Sequence, residues 1–119
     1  MTLILSTISS SFIALTVDSI RTLIIDGDEP EYDTGYVKSW SRDGIGVVAT
    51  WGMQDGNNFK NYLDSLGNLA GGRPLVEAVD HYLTNEFRPQ EFEGGGNPVG
   101  YHVATFGEKA ADVFYVTDL

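Results

Sequence analysis

No cysteine occurs among the 119 residues, which removes disulfide frameworks, thiolate metal sites and cysteine nucleophiles together. Basic side chains are scarce. Seven Lys and Arg stand against 17 Asp and Glu, for a net charge of −10. A nucleic-acid binder needs a cationic face to displace counterions from phosphate, and a polybasic membrane anchor needs one too, so neither partner is expected. Long apolar runs are also missing. Residues 1–17 carry no charge, but Ser and Thr interrupt them and the first cation is Arg21, so they form neither a signal peptide nor a membrane span. A cytoplasmic protein is the expectation. There is no GxSxG, GxxxxGK[ST] or HExxH, and no GxGxxG after a strand.

The residues that are present can fill a core. Hydrophobic residues make up 42% of the chain and include 6 Phe, 6 Tyr and 2 Trp, enough for one domain over residues 1–119. Two β-rich runs, Thr2 to Thr7 and Phe12 to Val17, flank Ile8-Ser9-Ser10-Ser11 and predict an N-terminal hairpin. Ile20 to Ile25 reads as a short extended piece, and Asp26 to Asp33 as an acidic loop. Gly35 to Trp40 and Gly44 to Trp51 predict a second hairpin turning at Arg42-Asp43-Gly44. Its unbroken Val47-Val48-Ala49 run predicts a strand covered on both faces.

Beyond Gly52 the period changes. Phe59, Tyr62, Leu63 and Leu66 form one helical stripe, with Asp55 as N-cap and Gly67 as stop. A second helix begins at Arg73-Pro74, carries Leu75, Val76, Val79, Tyr82, Leu83 and Phe87, and ends before Pro89. Gln90 to Gly100 reads as a flexible loop. Tyr101 to Phe106 and Val113 to Val116 predict a third hairpin around Gly107-Glu108-Lys109. Strands, two consecutive helices and strands again predict an α+β fold with antiparallel sheets and two adjacent helices.

Few residues carry obvious chemistry. Glu77 and His81 share a helix face at i, i+4, but no third ligand is spaced to join them, so a surface pair is expected and no metal. His102 fills its place in a strand. The acidic run Asp26, Asp28, Glu29, Glu31, Asp33 lacks the Gly and bidentate Glu of a calcium loop, and a solvated loop is the better reading than a cation site. No cofactor is expected.

Thr2 stands apart. Once Met1 is removed, its α-amine can serve as base for its own Oγ, which answers the weakness of a hydroxyl nucleophile. Supporting groups occur at suitable places. Asp18 closes the second strand of the hairpin that returns beside Thr2. Lys38 lies in the next hairpin and would favour an ionised Oγ or lower the α-amine pKa by like-charge repulsion. Gly52, at a strand-to-helix transition, offers a backbone N–H to an oxyanion.

These residues resemble the proteasome β-subunit group of N-terminal nucleophile (Ntn) hydrolases, especially its bacterial proteasome-like members. The opening T-L-I-L-S-T…F-I-A-L-T-V-D-S is similar to the family's first two strands, with Thr2 at the nucleophile and Asp18 at the aspartate position. Lys38 matches the catalytic lysine, and K-S-W-S-R-D-G-I-G-V-V-A-T-W-G runs without a gap to Gly52 at the oxyanion-hole glycine. The helix pair and G-Y-H-V-A-T-F-G resemble the family's next helices and the return of its chain to the sheet. Between Asp18 and Lys38 the chain is longer than the family pattern, with Arg21 one residue late. The resemblance corresponds to the first part of the family's domain. It implies an αββα sandwich, complete or partial, a threonine-type peptidase acting on peptide or protein substrates, and homo-oligomers that form rings. The alternative is a non-catalytic relative whose fold serves self-assembly.

Overall fold

The computed structural model describes residues 4–8, 13–17, 21–23, 31–33, 38–52, 56–87, 99–106 and 110–117. Its centre is a four-stranded antiparallel sheet in sequence order: β5 (Ser39–Arg42), β6 (Gly46–Gly52), β7 (Val99–Phe106) and β8 (Ala111–Thr117). Between β6 and β7 come α1 (Gly56–Ser65) and α2 (Arg73–His81), the latter continuing as a π-helical segment over Tyr82–Phe87. Two smaller antiparallel pairs precede the sheet: β1 (Ile4–Ile8) with β2 (Ile13–Val17), and β3 (Arg21–Leu23) with β4 (Glu31–Asp33). The protein is a mixed α+β fold with its helices grouped together, as the order of the sequence patterns implies.

Register assigns the two faces of the main sheet. Trp40, Val48, Val103 and Phe114 stand opposite one another, as do Tyr101 and Val116, so these side chains share one face. That face carries the helices. Phe59 of α1 lies 4.7 Å from the Tyr101 ring, and Tyr82 meets Tyr101 edge-on at 6.3 Å. Phe59, Leu63, Leu75, Val79 and Leu83 are all buried there, which is the stripe that the 3.6-residue spacing predicts.

On the opposite face Ala49 and Ala104 are fully buried behind short side chains. The β1–β2 hairpin approaches β6 and β7, and the small residues allow close contact between the two sheets. The Val47-Val48-Ala49 run is therefore continuous because β6 is covered on both sides.

Specific polar contacts fix the helices to the sheet. The Trp40 indole N–H donates to Asp64 Oδ1 of α1 at 2.9 Å, and the Arg42 guanidinium donates to the Leu66 carbonyl just past the end of α1 at 3.3 Å. Arg42 also lies 5.2 Å over the Trp40 ring. At the start of α2 the Gly72 N–H donates to Thr105 Oγ1 at 2.6 Å, while the same hydroxyl donates to the Ile45 carbonyl at 2.7 Å. Gly71 has no Cβ for a reason: one placed there would sit 2.7 Å from the Ile45 carbonyl oxygen.

Three expectations need correction. Glu31–Asp33, read as part of the acidic loop, is a strand, because Tyr32 favours extended backbone and Arg21–Leu23 supplies a pairing edge. Val99 and Gly100, read as loop, begin β7, where the end of β6 offers Gly52 and Trp51 as partners. The turn of the second hairpin lies at residues 43–45, one residue later than expected. The expected N-cap Asp55 and residues 90–98 lie outside the described residues.

Thr105→Val should remove the partner of both the half-buried Gly72 N–H and the half-buried Ile45 carbonyl. Urea unfolding is expected to show a loss of about 1–3 kcal/mol, with Thr105→Ser recovering most of it.

Candidate functional site

The β5–β6 hairpin brings two of the four predicted site residues to one end of the main sheet. The Thr50 N–H donates to the Lys38 carbonyl at 2.8 Å, which continues the β5–β6 register and sets Lys38 directly opposite Thr50. Thr50 Oγ1 donates to the same carbonyl at 3.3 Å. Gly52 lies two residues further on β6, about 7 Å along the strand. By strand alternation Lys38, Trp40, Thr50 and Gly52 belong to the helix-bearing face.

Lys38 is only 7% exposed. Burial to this degree is unusual for a lysine, and the residue is engaged by other groups of the structure. Gly52 has φ +93°, backbone that an L side chain adopts only under strain, and it is exposed at the strand end just ahead of α1. Gly52 is the last residue of β6 and stands opposite Val99 of β7.

Thr2 and Asp18 lie outside the described residues. The hairpin that should carry them is antiparallel as expected, but Ile8, read as part of the turn, is the last residue of its first strand. Ile4 stands opposite Val17, the last described pair at its open end, and the ladder runs to Ile8 opposite Ile13. The structure thus sets Lys38 and Gly52 at one end of the main sheet on its helix-bearing face, whereas the β1–β2 hairpin approaches the opposite face.

The remaining candidates have ordinary roles. Glu77 Oε1 accepts from Arg73 Nε at 3.0 Å, and the His81 ring lies 3.2 Å from the Asn85 amide, so this helix pair is engaged sideways rather than with each other. Among the described residues no group of three His, Asp or Glu is placed to hold a metal ion. His102 packs edge-on against Tyr115 at 4.6 Å, and burial lowers its pKa from the usual imidazole value. It fills the sheet, as expected. Of the acidic run, Glu31 and Asp33 are strand residues, and residues 26–30 lie outside the described residues.

Sequence reasoning missed Thr50 as the partner of Lys38, and Asp64 as the acceptor for Trp40. Thr50 is polar within the apolar strand Val47-Val48-Ala49-Thr50-Trp51, a visible signal. Asp64 lies 24 positions from Trp40, and no periodicity links them. Among the described residues no helix is long and apolar enough to cross a membrane.

Replacing Gly52 by Ala should cost about 1–2 kcal/mol in urea unfolding, because the added Cβ opposes a positive φ. Compared with protein-family models, with curated proteins and with solved structures, the chain matches none.

Proposed function

We propose that this chain is a proteasome-like N-terminal-threonine hydrolase that cleaves peptide bonds in the cytoplasm, built on an αββα-type sandwich. The observation that carries the reading is the end of the β5–β6 hairpin. A buried lysine and a left-handed glycine stand there on one sheet face, at the spacing by which the sequence resembles that family. The approach of the β1–β2 hairpin to β6 and β7 supports two stacked sheets with helices outside one of them.

In this mechanism Thr2 Oγ attacks the scissile carbonyl carbon, and its proton passes to the Thr2 α-amine directly or through water. The carbonyl π electrons move onto oxygen, where the Gly52 N–H stabilises them. The C–N bond then breaks, the leaving amine takes the proton, and an ester on Thr2 remains. Water adds to that ester and releases the acid, restoring the hydroxyl. Lys38 tunes the proton transfer by its charge, and Asp18 orients Lys38. Homo-oligomers, ring-shaped in the family that the sequence resembles, would enclose such a site.

The second reading, a non-catalytic chain that self-assembles, is favoured by the exposed aromatic side chains of β8. Intact-mass spectrometry after incubation with a peptide epoxyketone separates the two, since the reagent needs both a free α-amine and the adjacent hydroxyl. Hydrolysis predicts a species lacking Met1 that gains one adduct, lost in Thr2→Ala and formed roughly 10²-fold or more slowly in Lys38→Ala. Retained Met1 and no adduct would leave self-assembly as the function.

A further inference from the structure

β8 borders the main sheet, with β7 as its one strand neighbour among the described residues. Register fixes which of its backbone groups face outward. The Thr50 N–H bonds to the Lys38 carbonyl, so Gly46, Val48 and Thr50 direct their backbone groups to β5, and Val47, Ala49 and Trp51 direct theirs to β7. Their partners Ala104, His102 and Gly100 face back, which leaves Tyr101, Val103 and Thr105 to bond Val116, Phe114 and Asp112 of β8. Val113, Tyr115 and Thr117 therefore turn their N–H and carbonyl groups away from the sheet. One contact agrees with this parity: the Val113 N–H donates to the Asp112 side chain at 3.1 Å rather than to β7. At Tyr115 the outward donor and acceptor have no strand beside them among the described residues.

On the helix-bearing side of this edge an open groove of about 420 Å³ runs between β8 and α2, lined by Arg73, Val76, Glu77, Asp80 and residues 114–117. The direction of α2 makes its two ends different. The start of α2 is tied to Thr105, opposite Asp112, and the Tyr82 ring just past its end lies against Tyr101, opposite Val116. α2 therefore runs in the same direction as β8. Arg73 lies towards Asp112, where Glu77 engages its guanidinium at 3.0 Å. Asp80 lies towards Val116, exposed and with no ion pair or hydrogen bond among the described residues. Between them Val76 and Phe114, the latter 36% exposed, make the middle of the groove apolar.

We propose that this edge binds an extended cationic peptide of a partner protein, which joins the sheet as an antiparallel strand beside β8 whether or not Thr2 is a nucleophile. The peptide residue opposite Tyr115 makes both main-chain bonds, and its two neighbours turn their side chains to the helix-bearing face. The neighbour opposite Val116 reaches Asp80, and the one opposite Phe114 covers the apolar middle. Read from its N-terminus, the bound segment thus carries Lys or Arg, then any residue, then an apolar one.

Charge decides the occupant. At this edge Glu77, Asp80 and Asp112 outnumber Arg73, whose charge Glu77 already offsets. With a net charge of −10 the chain attracts a basic segment and repels an acidic one. A second copy of the chain would bring the same excess of carboxylates to the edge, and a neutral segment would leave Asp80 unanswered.

Fluorescence anisotropy of a labelled peptide, Thr-Arg-Thr-Val-Thr-Ser-Thr with blocked ends, against the full chain tests this. About 0.15 M salt screens diffuse attraction to the acidic surface. Saturable binding with a Kd of about 100 µM or tighter is expected. Exchanging the Arg and Val of the peptide should weaken binding about 10-fold at unchanged charge, and so should N-methylation of its third residue, which removes the N–H that bonds to Tyr115. Asp80→Lys should also weaken binding about 10-fold, and that variant should prefer a peptide with Glu in place of Arg, a gain that an unfolded protein would not show. No saturation by about 1 mM peptide would overturn the proposal. So would equal affinity for the exchanged peptide, indifference to Asp80→Lys, or sedimentation showing a dimer that Phe114→Lys dissociates and the peptide does not, since a second copy would then hold the edge.

Discussion

The Thr105 hydroxyl joins three parts of the molecule that are distant in sequence. Sitting on β7 with no exposure to solvent, it donates to the carbonyl of Ile45 in the β5–β6 turn and accepts from the Gly72 N–H at the start of α2. Both groups are half-buried, and each bond contributes roughly 0.5–1.5 kcal/mol. The geometry leaves no space for a side chain at Gly71, so the Gly71-Gly72 pair and Thr105 form one device. Once α2 is pinned there, its stripe must lie along β7, which carries Tyr82 onto Tyr101 and lets Phe59 of α1 close the aromatic cluster.

The same hairpin works at both of its ends. Its turn is held by Thr105 through Ile45, and its open end carries Lys38 and Gly52. Between them Trp40 and Arg42 reach across to α1 through Asp64 and the Leu66 carbonyl. β5 is short and lies at the border of the sheet, so it draws much of its rigidity from these side-chain contacts. In the proposed mechanism that rigidity matters, because a proton-transfer group misplaced by about 1 Å loses much of its effect. The site end is thus positioned by packing from residues that take no part in chemistry.

Much of this was legible in the sequence because it depends on local period. The α1 and α2 stripes, the three hairpins and the doubly covered Val47-Val48-Ala49 strand all arise from residues spaced within one element. β4 was not legible, since Glu31–Asp33 has too few residues for alternation to register and its pairing with β3 is a tertiary choice. The start of β7 was hidden for a similar reason: Val99-Gly100 looks like the tail of a glycine-rich loop until β6 stands beside it. Lys38 and Gly52 are singled out by their order and spacing, and the register of the β5–β6 hairpin sets both at one end of the sheet. Asp64 carries no such signal, because its role arises from a contact across 24 positions, whereas Thr50 stands out only as a polar residue in an apolar strand.

The proposed hydrolysis depends on one distance, from Thr2 Oγ to Lys38 Nζ, and a crystal structure of the chain lacking Met1 would give it. A working nucleophile requires about 3 Å, with the Gly52 N–H facing the same space. A Lys38 ammonium engaged among the helices, with Thr2 more than about 8 Å away and no room for a bridging water, would contradict the hydrolase reading.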